Sequence, residues 1–298
     1  MGLPTKDSRV STTSDLIPSG FTEPGRGAGL IDVFRRRYLL SLIIRKEVQV
    51  RYRGSVLGWL WSYVKPTAQF IVYFLALGIF LRLSGALDFY PIYLFSGLIV
   101  VNFFTEAFAN GTRAIVDNGA LIKKIFMPRE MFPVASTIVS FINFLPQLLV
   151  TVVVCLFVGW RPQPLQLLGV VLGVLIIGLL ATGLGMLFGA INVSFRDSQN
   201  LVDLILLIVL WASPVLYPWT TVRDNMPDWL LQVYLANPVT IAVELFHAGL
   251  WFPTTDGAFT LPPDLMLRGV GAMVFSLLVL FIGQLVFRRL EGRFAQDL

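Results

Sequence analysis

The chain has 298 residues, of which 56% are hydrophobic and 14% charged, with a formal net charge of +5. Soluble domains carry about 25% charged residues, so this composition excludes an ordinary water-soluble enzyme and points to lipid as the solvent. The lone Cys155 excludes an internal disulfide or a cysteine-based metal site, and the lone His247 excludes histidine-cluster chemistry.

Charge is absent from 66–81, 89–105, 131–160, 162–195, 204–222 and 269–287. A bilayer core takes about 20 helical residues. The runs are continuously apolar rather than alternating, which favours helices over barrel strands. The sequence therefore predicts an all-α polytopic membrane protein with six spans, at about 59–81, 90–109, 132–158, 165–191, 201–217 and 266–287.

In chain order, residues 1–30 are polar and contain no apolar signal-peptide core, which predicts a disordered cytosolic tail. Residues 31–53 place Arg35, Arg36, Arg37, Arg45, Lys46, Arg51 and Arg53 among Phe34, Tyr38, Leu42 and Ile43. That pattern predicts an amphipathic helix in the membrane interface, broken in two where its apolar stripe is imperfect. The alternative is a plain basic flank. The first span opens on Gly58-Trp59-Leu60-Trp61-Ser62-Tyr63, with aromatics suited to the headgroup boundary, and Pro66 opens or kinks its helix.

Between the second and third spans, Leu121, Ile122, Ile125 and Phe126 share one helical face while Lys123 and Lys124 point away, and Pro128 and Pro133 delimit the segment. It reads as a short amphipathic helix offered to a partner, or else one lying on lipid. The fourth span carries two G-x-x-x-G pairs, Gly169/Gly173 and Gly185/Gly189, which suit close helix packing within the chain or across a dimer. Residues 211–252 are rich in Trp and Pro and are interrupted at Asn237-Pro238. They predict a re-entrant helix pair over 219–250, which needs protein cover; the alternative is an outer loop whose aromatics anchor at the interface.

Basic residues set orientation. With the N-terminus inside, 18 of the 23 Lys and Arg fall in cytosolic stretches, Lys65 sits near the inner end of the first span, and Arg82, Arg161, Arg223 and Arg268 lie outside. Both termini are expected in the cytosol. The same bias accounts for the basic pI without nucleic acid.

No G-x-x-x-x-G-K-[ST] motif is present, so the chain has no phosphate cradle for ATP. The intramembrane carboxylates are Glu106, Asp203 and Glu244. The first two lie near inner helix ends, and Glu244 can pair with a backbone N–H or His247; a proton relay is a minor reading. An apolar, aromatic-rich path without buried charge would suit a substrate with a lipid part and uncharged sugars.

Four segments carry a resemblance. They are Arg51-Tyr52-Arg53-Gly54-Ser55-Val56-Leu57-Gly58-Trp59-Leu60-Trp61 ahead of Lys65-Pro66; Asn118 to Glu130; Phe195-Arg196-Asp197 followed by Trp211-Ala212-Ser213-Pro214-Val215-Leu216-Tyr217-Pro218; and Asn237-Pro238. In order and spacing, over about 31–298, they resemble the membrane subunits of the ABC-2 family that export lipid-linked polysaccharides such as O-antigen and teichoic acid. Within that family the similarity leans toward an actinobacterial exporter of a cell-wall galactan.

The resemblance implies a homodimer of six-span subunits in the bacterial cytoplasmic (inner) membrane, bound to two copies of a separate nucleotide-binding ATPase. ATP and Mg would be held by that partner, and this chain would carry no cofactor, metal or catalytic residue. It makes 31–53 the interface helix, 112–127 the coupling helix and 193–199 a second ATPase contact. The coupling residues are then Asn118, Leu121, Ile122, Lys123, Lys124, Arg129, Arg196 and Asp197. Arg51 and Arg53 would meet the lipid pyrophosphate. The first and fifth spans would line the polymer path, with Trp59, Tyr63, Trp211, Tyr217, Trp219, Trp229, Tyr234 and Asn237 as channel or gate residues. Rival readings are an exporter of a drug or simple lipid, a polytopic glycosyltransferase, and a secondary carrier or channel working without an ATPase.

Overall fold

A computed structural model describes residues 29–297 except Leu57, Ala86, Phe126, Asp256 and Ala258, and except the side chains of Tyr52, Trp59 and Ala295. Nearly all of the tail expected over 1–30, the Trp59 side chain and Phe126 thus lie outside the described residues. Among the described residues there are helices and turns and no strand, so the protein is all-α.

Helices α1 (Leu30–Arg35) and α2 (Arg37–Tyr52) meet at Arg36, whose backbone leaves the helical region at φ −97° and ψ 41°. Leu40 and Ile43 on α2 turn inward, while Ile31, Phe34, Tyr38 and Leu42 form a second, exposed apolar stripe. Helix α3 runs from Trp61 to Phe80, with its last residues, Phe74–Phe80, widened into π-helical turns. Pro66 sits inside α3 rather than at its start.

Helix α4 (Tyr90–Asp117) has 28 residues and spans about 42 Å at 1.5 Å per residue. It runs past the expected end at 109 and takes in the start of the following connection. A break at Asn118 leads to the single turn α5 (Gly119–Ile122). Helix α6 (Met131–Phe157) has Pro133 in its first turn, where a missing N–H costs nothing, and Pro146 in its interior. Helix α7 (Pro164–Ser194) opens with a capping box in which Gln163 and Gln166 exchange side-chain and backbone hydrogen bonds.

The expected helix over 201–217 is shorter. Helix α8 (Ser198–Trp211) has 14 residues, about 21 Å, less than the roughly 30 Å of a hydrocarbon core. Pro214 and Pro218 follow its end and cannot donate to it. Side chains from other helices take the freed carbonyls. Thr240 Oγ1 donates to Ala212 O at 3.1 Å, and Tyr93 Oη, 2.6 Å from Pro214 O and 2.9 Å from Tyr217 O, shares its one proton between them.

Helices α9 (Trp219–Asn225), α10 (Asp228–Ala236) and α11 (Pro238–Phe246) follow. The chain bends by 77° between Asp228–Ala236 and Pro238–Thr254. Asn237 caps α11 by accepting from Val239 N at 3.0 Å. A π-helical turn, His247–Trp251, extends α11 and exposes carbonyls that other side chains satisfy: Trp160 Nε1 donates to Gly249 O at 2.9 Å. Helix α12 (Leu265–Leu290) and the short α13 (Phe294–Asp297) end the chain.

Among the described residues, five helices, α3, α4, α6, α7 and α12, are long and apolar enough to cross a membrane, and the bent pair can be counted as a sixth. The protein is a multi-pass membrane protein. Helix α4 is its central post, 72% buried over its most apolar window against 6% for α3. Both glycine pairs of α7 serve packing within the chain. A Cβ on Gly185 would sit 3.1 Å from Gly111 Cα of α4, and one on Gly173 would sit 3.0 Å from the Phe246 ring of α11. The closest approach pairs α7 with α12, where a Cβ on Gly283 would lie 2.2 Å from Gly183 O.

Candidate functional site

Helices α3, α4, α6 and α8 enclose a cavity of about 650 Å³. Its wall on α6 is the stripe Ser140, Asn143, Phe144 and Gln147, which fall at positions i, i+3, i+4 and i+7 and so share one helical face. Its wall on α4 presents Asn102, Glu106, Asn110 and Arg113 by the same periodicity. Trp61, Ser62, Lys65 and Gln69 line it from α3, Asp203 from α8, and Arg51 from the end of α2.

Both arginines and both carboxylates of the wall are paired. Arg51 Nη1 donates to Glu106 Oε1, which also accepts from Asn143 Nδ2 at 2.8 Å. Arg113 Nη2 lies 3.6 Å from Asp203 Oδ1. The cavity is thus polar and holds ionisable groups, where the sequence suggested an aromatic path without buried charge. Its aromatic lining is Trp61, Phe103 and Phe144.

A second region lies at the basic end of the bundle. Lys46 Nζ donates to Asn118 Oδ1, and Asn118 Nδ2 donates to Ala114 O at 2.8 Å. Asn118 thereby joins α2 to the hinge between α4 and α5. Next to it, Ser136 Oγ donates to Glu47 at 3.2 Å, and burial pushes the Glu47 carboxyl above its ordinary range against the opposing effect of Ser136. Ile122 is buried and Leu121 half-buried, whereas Lys123, Lys124 and Ile125 are exposed. Phe195, Arg196 and Asp197 are also exposed, on the turn between α7 and α8. Asn192 Nδ2 donates to Thr112 O at 3.1 Å, holding that turn beside the end of α4.

Arg129 turns inward. It donates to the Glu291 carbonyl and lies 5.7 Å over the Phe294 ring. Burial lowers its pKa and raises that of the neighbouring Glu130, whose two carboxylate oxygens have no hydrogen-bond partner among the described residues.

At the opposite end, the Tyr93 ring stacks on His247 at 4.0 Å and meets Trp251 edge-on at 4.9 Å. His247 Nε2 lies 3.1 Å from Tyr93 O and therefore donates to it. His247 Nδ1 lies 3.8 Å from Glu244 Oε1, the pairing weighed from the sequence. The expected gate aromatics are dispersed. Trp211 and Trp229 are exposed, Trp219 is buried with its indole N–H on Thr260 O at 2.8 Å, and Tyr217 donates to Trp211 O. Tyr234 packs against the small cluster of Trp219, Leu231 and Leu235, Tyr63 is half-buried on α3, and Asn237 is the α11 cap.

Arg51 joins the cavity, while Arg53 stays exposed beyond the end of α2. The residues that sequence reasoning passed over are the cavity's carboxamides and Ser140. Their signal was present: polar side chains recurring at helical spacing on one face of otherwise apolar spans.

Comparison with known proteins gives this geometry a family. The model of the ABC-2 type transporter family matches residues 38–251. The chain is 31% identical over 218 residues to the O-antigen export system permease protein RfbA of Myxococcus xanthus, covering 73% of this chain and 82% of that one. It is 25% identical to the RfbA permease of Klebsiella pneumoniae, over 87% of this chain and 95% of the relative. It is 22% identical to the polysialic acid transport protein KpsM of Escherichia coli, over 86% and 95% of the two chains. The chain belongs to the ABC-2 type transporter family.

Proposed function

We propose that the chain is the membrane subunit of an ATP-driven exporter that moves a lipid-linked polysaccharide across the bacterial cytoplasmic membrane. The observation that carries this reading is the polar cavity and its place in the fold. It is walled by α3 and α8, whose outward faces are bare apolar surface: Leu201, Leu204, Leu207 and Ile208 on α8, Val64, Ile71 and Val72 on α3. A second copy of the subunit set against these helices would cover that surface and join two cavities into one path. The export permeases among its relatives support the cargo class.

The power stroke would come from a separate ATPase, since the sequence carries no phosphate-binding motif. Lys123, Lys124 and Ile125, together with the Phe195–Asp197 turn, are exposed at the basic end and would form the docking surface, and the Lys and Arg bias supports a cytosolic position for it. Closure of the ATPase on ATP would push the α5 turn. Asn118 and Lys46 would pass the movement to α2, and Arg51 would pass it to Glu106 in the cavity wall. ATP drives the cycle by binding one of the two states more tightly. The exposed stripe of Ile31, Phe34, Tyr38 and Leu42 lets α1 and α2 lie in the headgroup layer. The bent pair around Asn237 would be a re-entrant element at the outer face. A lipid pyrophosphate reaching α2 would meet Arg53 first, and Arg51 once it exchanged its Glu106 partner for phosphate.

Charge reversal at Lys123 and Lys124 tests the docking surface: copurification with the ATPase and glycan export should both fall, and unchanged values would remove this turn from the account. Replacing Arg51 and Arg53 by Gln should weaken stimulation of ATP hydrolysis by pyrophosphate-linked lipid; undiminished stimulation would retire the pyrophosphate role.

A further inference from the structure

The chemistry of the cavity wall narrows the cargo. Five carboxamides line it: Gln69, Asn102, Asn110, Asn143 and Gln147. A carboxamide both donates and accepts, which matches a sugar hydroxyl that does the same. Phe103, Phe144 and Trp61 add faces on which the C–H side of a sugar ring can stack. Two wall residues are also incomplete. Ser140 is 1% exposed and Gln147 is 7% exposed, and neither Ser140 Oγ nor Gln147 Oε1 has a hydrogen-bond partner among the described residues. A buried polar atom without a partner carries a desolvation cost that a ligand hydroxyl would remove.

The charges point the same way. Arg51, Lys65 and Arg113 stand against Glu106 and Asp203, so only one positive charge is in excess. Both arginines already face carboxylates, which leaves Lys65 as the one cation in excess. A path for a polyanion needs open cations along its wall, and a carboxylate set on an arginine both occupies its donors and repels incoming negative charge.

We propose that this cavity is a sugar-binding subsite that takes uncharged, hydroxyl-rich units of the exported chain and turns away polyanionic glycans; this rests on the exporter reading given above. Ser140 and Gln147 complete their hydrogen bonding on the sugar. The Arg51–Glu106 and Arg113–Asp203 pairs act as the filter against negative charge.

The test uses the full chain in lipid nanodiscs and saturation-transfer NMR, with two probes: a linear neutral hexose oligosaccharide and a polysialic acid oligomer of equal length, a polycarboxylate. The neutral probe should receive saturation and the acidic one should not. Ser140→Ala combined with Gln147→Leu should weaken neutral-probe binding about fivefold. Asp203→Asn lies in an exposed pair and spares the core; by opening Arg113 it should strengthen binding of the acidic probe about two- to fivefold, the range for such a pair. Unchanged thermal unfolding of each variant certifies its fold. Equal or stronger binding of the acidic probe by the natural protein, absence of binding by both probes, or variants without effect would overturn the proposal. The exporter reading is scored apart, by surface glycan in cells lacking the gene. Glycan lost on deletion but probes bound without preference sinks the subsite alone, whereas glycan retained on deletion sinks the exporter reading.

Discussion

Lys46 on α2 donates a hydrogen bond to Asn118 Oδ1, and Asn118 is the residue at which α4 ends and the α5 turn, which leads to the exposed Lys123 and Lys124, begins. One carboxamide therefore joins the helix suited to the membrane surface to the turn suited to the ATPase. Hydrogen bonds to charged groups contribute about 1.5–3 kcal/mol. Replacing Asn118 by Ala should loosen this joint while leaving Lys123 and Lys124 exposed. We predict that the ATPase still copurifies, but that glycan exported per ATP hydrolysed falls several-fold. Equal coupling ratios in Asn118→Ala and the natural protein would refute the joint.

The contact between Gly183 and Gly283 predicts a sharp packing defect. A Cβ on Gly283 would lie 2.2 Å from Gly183 O, a backbone atom with no rotamer to move. Gly283→Ala should lower thermal stability by about 1–3 kcal/mol, the ordinary cost of overpacking. Gly271, on the same helix, has nothing within 4 Å of such a Cβ, so Gly271→Ala should be neutral or slightly stabilising through helix propensity. Calorimetry of the two variants in one detergent compares them directly.

Tyr93 predicts an effect at the other end. Its hydroxyl lies within hydrogen-bond distance of both Pro214 O and Tyr217 O beyond α8. Tyr93→Phe keeps the stack on His247 and removes only that hydroxyl. A buried carbonyl left without its donor costs about 1–3 kcal/mol. Hydrogen exchange should then rise across 212–218 while the α4–α7 core stays protected; uniform exchange across both would contradict this role.

Glu130 predicts a pH dependence. It is fully buried, its carboxylate oxygens lack partners, and burial raises its pKa. The folded state then holds the proton more tightly than the unfolded chain. Its contribution to stability is fully present below the unfolded pKa of about 4.3 and is lost as pH rises through the raised folded value. Glu130→Gln fixes the uncharged form, so its melting temperature should exceed that of the natural protein at neutral pH and converge with it in acid. A gap that stays constant with pH would disprove the burial effect.

The all-α polytopic architecture was legible because charge-free runs of bilayer length have one economical solution in lipid. The break between α1 and α2 and the interruption at Asn237-Pro238 were legible for local reasons, an imperfect stripe and a helix-breaking proline. The end of α8 was not. Leu204 to Tyr217 carries no charge to mark an end, and it is the donors Tyr93 and Thr240, more than 20 residues away in sequence, that let the helix stop at Trp211. The inward turn of Arg129 was hidden for the same reason, since its acceptor is Glu291 near the far end of the chain. The cavity was only half legible. Glu106 and Asp203 stood out as charges, but Ser140, Asn143 and Gln147 drew less notice because polar uncharged residues in a span commonly bond back to their own helix, as Gln147 Nε2 does to Asn143 O at 3.2 Å.

This subunit is proposed to supply the path and to borrow its power from a separate ATPase. Reconstitution in proteoliposomes with a labelled lipid-linked glycan tests it most directly, with ATP, and with or without the cognate ATP-binding subunit. Transport should require both polypeptides and cease when either is left out. Glycan movement, or ATP hydrolysis, by this chain alone would contradict the claim.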